Sequence, residues 1–307
     1  MIGLPIWLPA TLFAGALQAW RTAVQRRVGK SLSVNAAGLV RYLYGLPVAV
    51  ALAGLYQFVV APQALPHFTA WFGLFAVAGG LAQIIATNLL LMAFEERNFV
   101  VGTAYSKTEA MQSALLSVFL LGDHLAPLVW AGIASGVVGV MILSTGGKRM
   151  GAGEVLRSLG QKAAIYGIAS GFFFALTTIG VRRAALELGT GDDHVRAGLL
   201  TLAAVVALQT VLQGGYVWWR ERDQVSLVFA NWRVAGQVGL MSSLGSACWF
   251  TAFASAPVAL VRIVGQVEIA FTMAFGHFYL GERMRASEGL GLVLVGAGVV
   301  LALAGAL

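Results

Sequence analysis

Charge is what this sequence has least of. Asp, Glu, Lys and Arg make up 11% of its 307 residues, against 59% hydrophobic ones, where a soluble domain carries about 25% charge. So little charge cannot cover a water-facing surface, and a mean hydropathy of +0.82 agrees. A soluble globular protein is excluded. Cysteine is almost absent too. Cys248 stands alone, which excludes a disulfide framework and a cysteine-based metal site. The four histidines, at 67, 124, 194 and 277, have no metal-binding spacing. No G-x-x-x-x-G-K run followed by Ser or Thr occurs, so no nucleotide-binding phosphate loop and no cofactor are expected. The net charge of +7 does not point to nucleic acid, because most of it lies in short connections between apolar runs, where it reports topology. The first apolar run, Leu4 to Val24, is long enough to span a bilayer and is followed by Arg26 and Arg27. It reads as a retained helix, not a cleaved leader.

What is there is a succession of such runs. A spanning helix needs about 20 mostly apolar residues. Ten are expected, near 4–25, 34–60, 70–94, 99–121, 125–146, 163–183, 196–219, 233–254, 258–280 and 286–306. The connections are too short for a soluble domain. The longest, around GKRMGAGEVLRSLGQK, is basic and central, and divides residues 1–147 from 163–307 with a linker at 148–162.

The two halves repeat. At an offset of 159 residues, Glu109 falls on Glu268, Lys107 on Gln266, LLGDH (120–124) on YLGER (279–283), Gly132 on Gly291 and Gly139 on Gly298. At 156, GALQAWRTAVQRR (15–27) falls on GFFFALTTIGVRR (171–183), and at 155 Arg41 falls on Arg196. Five helices are an odd number, so the second unit crosses in the opposite sense, as in alternating-access transporters. The fold expected is an all-α integral membrane protein of ten transmembrane helices, built as two inverted five-helix repeats. Loops after the odd-numbered helices hold thirteen Lys and Arg. The other side holds three, Arg182, Arg183 and Arg196, in one loop. That bias places the odd loops in the cytoplasm and both termini outside.

Arg41 in LVRYLYGLP, the doubled unit, and the segments TEAMQSALLSVFLLGD (108–123) and VEIAFTMAFGHFYLGE (267–282) resemble the drug/metabolite transporter superfamily, EamA type. The resemblance spans the whole chain. It implies a carrier of small metabolites or amino acids in the bacterial inner membrane, with a central cavity lined by both halves. Export is the direction it favours. The family pattern has Glu-Pro early in that helix. Here Ala110 follows Glu109 and Ile269 follows Glu268, so the helix irregularity is not expected.

Six ionisable residues fall inside the expected spans: Arg21, Arg41, Lys107, Glu109, Arg262 and Glu268. Each needs a partner or a watery cavity. Arg21, five residues from Arg26, can snorkel to the interface. Lys107 and Glu109, two apart, point about 200° from one another on a helix and should not pair. Glu109 and Glu268 are repeated, so they read as helix-packing or gating groups, with proton coupling the other role. Arg41 is a partner for Glu109. Lys107 is unrepeated, which suits it to the solute, although an internal ion pair with a glutamate would also account for it. Four cations against two anions favour a solute with a carboxylate or other anionic group. Tyr105, Gln83, Asn88, Gln266, Trp249 and Arg262 are further pathway candidates, with the packing of Trp249 against its neighbours as the alternative. Helices 5 and 10 are glycine-rich scaffold. The partners expected are a small-molecule substrate and the lipid bilayer, with the protein a monomer or homodimer. A flippase for a lipid-linked substrate is the alternative. An intramembrane enzyme would need a nucleophile–base or metal constellation that the sequence does not offer.

Overall fold

Apolar helices dominate because a chain with this composition can satisfy its backbone in lipid only within helices. The computed structural model describes residues 5–29, 31–96, 105–144, 160–279, 281 and 288–306. No strand occurs among them. The helices are α1 (Trp7–Val28), α2 (Val34–Leu43), α3 (Leu46–Leu55), α4 (Ala70–Glu96), α5 (Glu109–Leu116), α6 (Pro127–Ser144), α7 (Lys162–Glu187), α8 (His194–Arg220), α9 (Arg222–Ala230), α10 (Trp232–Ser255), α11 (Val258–Gly265), α12 (Glu268–Phe278) and α13 (Glu288–Ala306). Wide π-helical turns prolong α3 over Tyr56–Val60 and α5 over Ser117–Leu121.

Among the described residues, six helical stretches are long and apolar enough to cross a membrane: Val34–Val60, Ala70–Glu96, Lys162–Glu187, His194–Arg220, Trp232–Ser255 and Val258–Phe278. Large apolar side chains face outward, Phe119 at 80% and Phe278 at 85% exposure. Such faces suit lipid and would be costly in water. Most of the linker, 148–159, lies outside the described residues.

Local signals place the ends. Ser33 accepts a hydrogen bond from Ala36 N and opens α2; Asp193 accepts from Arg196 N and opens α8. Pro47 has no N–H to offer the preceding turn, so α2 and α3 are separated at Tyr44–Gly45. Gly122 and Gly281, both at φ 72°, turn the LGD and LGE corners in the left-handed region that a glycine enters freely.

Three features depart from the sequence reading. Residues 222–230 form a short helix where a loop was expected, between the exposed Trp218–Trp219 pair and Trp232. Arg182 and Arg183 lie within α7 and Arg196 in the first turn of α8, not in a loop. Arg21 is 2% exposed and does not snorkel; it donates to Gln25 Oε1 at 2.8 Å. A neighbouring side chain on the same helix met its donors at a shorter reach than the interface.

The long helices pack on partners distant in sequence. α1 lies along α10 and also touches α12; α4 lies along α7, which also touches α5. α6 and α13 pack on each other where both backbones are bare. A methyl group at Gly132 would lie 2.5 Å from Gly298 O, and one at Gly298 2.6 Å from Gly132 O.

Candidate functional site

The charged side chains gather where two helices are interrupted. Before α5, Thr108 N bonds Tyr105 O and Ala110 N bonds Lys107 O. Between α11 and α12, Gln266 N bonds Ile263 O and Ile269 N bonds Gln266 O. These are i→i−3 bonds, so each interruption is a 3₁₀ turn in mid-span. The irregularity that the missing prolines argued against is present in both halves. A glycine of the facing helix supports each turn. A methyl group at Gly171 of α7 would lie 2.7 Å from Ser106 O and 3.1 Å from Glu109 N. One at Gly15 of α1 would lie 3.5 Å from Glu268 Cβ. These two glycines are themselves repeat equivalents.

The 3₁₀ turn also changes who can meet. At 3.0 residues per turn, positions i and i+2 are about 120° apart, against about 160° in an α-helix. Lys107 Nζ therefore reaches Glu109 Oε1 at 3.7 Å, contrary to the helical-wheel expectation, and Glu268 Oε2 at 2.6 Å. Glu109 does not pair with Arg41. Its partner is Arg262, whose Nη1 lies 3.3 Å from Glu109 Oε1. The result is a chain, Glu268–Lys107–Glu109–Arg262, with side-chain exposures of 3–8%. Two members come from each half, and the charges cancel within it.

Neutral groups complete the quartet. Gln18 of α1 donates to Glu268 Oε2 at 2.7 Å. Thr178 of α7 accepts from Arg262 Nε at 3.0 Å and also from its Nη2. The guanidinium lies over the rings of Trp249 and Phe253, 5.2 and 4.9 Å from their centroids. A cation held this way by two faces and an oxygen is fixed in direction.

Residues 161–304 match the model of the EamA-like transporter family. The second half of the chain is thus similar to this family. Members are membrane transporters of small solutes. A search of curated proteins finds no match. Among solved structures, one titled only "Crystal structure of protein" is 16% identical, with 97% of each chain covered and a TM-score of 0.66, and shares the fold. A sodium–calcium exchanger, 12% identical with 96% of each chain covered, reaches a TM-score of 0.20, below what a shared fold gives.

The remaining sequence candidates are dispersed. Gln266, beside the quartet, presses on Gly136 of α6. Its amide and Trp249 Nε1 are buried without a hydrogen-bond partner among the described residues. Tyr105 is buried on the turn before α5, its carbonyl accepting from Thr108 Oγ1. Arg41 stands apart, amid the hydroxyls of Thr87, Ser242 and Ser246. Gln83 Oε1 accepts from Gln209 Nε2 at 2.8 Å. Asn88 donates to Asn35 Oδ1 at 2.9 Å and accepts from Gln213 Nε2 at 3.1 Å. Gln83 and Asn88 thus join polar links between helices.

Gln18 and Thr178 escaped the sequence reading, though a signal existed. Thr11, Gln18, Thr22 and Gln25 recur at helical spacing on α1, a polar stripe on an otherwise apolar helix.

Proposed function

We propose that this protein is a secondary carrier that moves a small organic solute across the membrane by alternating access, with the quartet as its centre. The reading takes ten spans, the six long apolar stretches and the shorter or interrupted ones, as two inverted units of five. The observation that carries it is the pair of 3₁₀ turns, one in each half, whose charges close on each other between the halves. Ion pairs between two bodies are groups that a rocking motion can exchange for solute or proton. The solute is a metabolite or amino acid bearing a carboxylate or similar anionic group, which competes with Glu268 for Lys107. Glu109 and Glu268 hold the closed arrangement, and either can take a proton when its cation is engaged by solute. Export across a bacterial inner membrane, with both termini outside, is the direction and placement proposed.

Counterflow in proteoliposomes tests this. Lys107→Met is expected to lose transport while keeping a monodisperse, cooperatively melting protein. If leaving Glu268 without its cation prevents folding, Lys107→Met/Glu268→Gln removes both charges and keeps the test open. Wild-type transport by either variant would overturn the assignment of Lys107.

A further inference from the structure

The quartet is neutral, so the positive excess of the spans lies elsewhere, on Arg21 and Arg41. Arg41 is 5% exposed. Its Nε donates to Ser242 Oγ at 2.8 Å, its Nη1 to Thr87 Oγ1 at 3.1 Å and its Nη2 to Ser246 Oγ at 3.5 Å. No carboxylate among the described residues lies within ion-pair distance of it. A guanidinium has five N–H donors, so two remain. The three hydroxyls turn their oxygens toward the cation, and none donates to a protein acceptor among the described residues. Tyr42 O–H donates to Thr87 Oγ1 at 3.3 Å and Gln83 O at 3.4 Å, and its ring centroid lies 5.5 Å from Arg41 Cζ, a neutral partner that leaves the charge uncancelled. The carbonyl end of α2 contributes a partial negative potential of about half a charge, which does not fill those donors. The cluster therefore holds two unused N–H donors and three rotatable hydroxyls around a positive charge.

The equivalent arginine shows the contrast. Arg196 is as deeply buried, 5% exposed, yet its Nε meets Gln57 Oε1 at 2.8 Å, its Nη1 meets Gln63 Oε1 at 2.6 Å and its Nη2 meets Ala64 O. All three are carbonyl oxygens, which only accept. Arg196 clamps the end of α3 to the start of α8. Arg41, at the same place in the other half, has hydroxyls that can rotate and donate.

A way in exists. A cavity of about 310 Å³ opens between α1, α2 and α4, lined by Arg26, Ala37, Leu91, Phe94 and Glu95 among others. Ala37 lies one helical turn before Arg41 on α2, and Leu91 one turn after Thr87 on α4.

We infer that Arg41, with the hydroxyls of Thr87, Ser242 and Ser246, forms an anion site distinct from the quartet, whose two remaining N–H donors suit a halide or a single carboxylate. Its occupant is a free small anion or the carboxylate end of a solute. The site stands on this geometry and does not need Lys107 to be the solute contact.

The test is thermal unfolding of the purified protein titrated with sodium chloride or sodium acetate at constant ionic strength, sulfate making up the balance. Bulk salt effects act on every variant alike, whereas a bound ligand stabilises saturably. Wild type is expected to show saturable stabilisation. Arg41→Gln should lose it. Ser242→Ala/Ser246→Ala, which keeps the cation, should raise the half-saturating concentration at least tenfold. A response to both salts identifies a free inorganic anion as sufficient; a response to acetate alone identifies a solute carboxylate. Equal responses in wild type and both variants would overturn the site. Lys107→Met should keep the wild-type anion response, so a failure of the carrier assignment at Lys107 would be seen separately in transport.

Discussion

Arg262 shows what one side chain must do here. It gives an N–H to Glu109, two more to Thr178, and its flat face to Trp249 and Phe253. A lysine keeps the charge and loses the fork and the stacked plane. Arg262→Lys is expected to lower the initial rate of counterflow at least tenfold with a folded protein, and to lower the melting temperature measurably. Wild-type rates would mean that charge alone suffices. Arg262 was legible as a buried charge from its place in an apolar run. Its partner was not, because the carboxylate 153 residues earlier comes near it only when α5 and α11 pack together.

At the scale of the element, the broken helices deserve a physical account without proline. Each break lies beside a glycine of the facing helix, so a bare backbone on one side meets a tightened turn on the other. Each interrupted stretch also ends in sequence at a corner glycine with φ near 72°, Gly122 in one half and Gly281 in the other. A Cβ in that region costs about 1–2 kcal/mol, and open space surrounds both positions, so the cost is conformational and not steric. Gly122→Ala and Gly281→Ala are each expected to destabilise the protein by about that amount in reversible unfolding in micelles, with little change in solute affinity. A larger loss of affinity than of stability would mean that the corners act on the site. The corners were readable from the repeated LG pair. The 3₁₀ turns were not, because Glu-Ala and Glu-Ile carry no local breaker and only the glycine of another helix marks the place.

At the scale of the molecule, the quartet ties the halves together, and its members should not behave additively. Breaking a buried ion pair by removing one partner costs about 3–5 kcal/mol, whereas replacing both by apolar groups of similar volume is often nearly neutral. Lys107→Met and Glu268→Leu singly are expected to destabilise strongly, and the double variant to recover most of that loss in a thermal unfolding cycle while remaining inactive in transport. Additive losses would mean that the two groups act on stability through different partners.

Composition and hydropathy alone determined that this chain lives in a bilayer as helices, because a backbone in lipid has few other ways to satisfy its donors. The sequence by itself also placed most helix ends within a few residues, since caps, corner glycines and the limits of apolar runs are local. The repeat offset marked Glu109 and Glu268 as equivalent before any contact was known. What only the tertiary structure decided is the pairing: Glu109 with Arg262, not Arg41; Lys107 with both glutamates; Arg21 with Gln25 instead of the interface. Charges in a low-dielectric interior choose partners by distance and direction, and those are set by how helices far apart in sequence lie against each other.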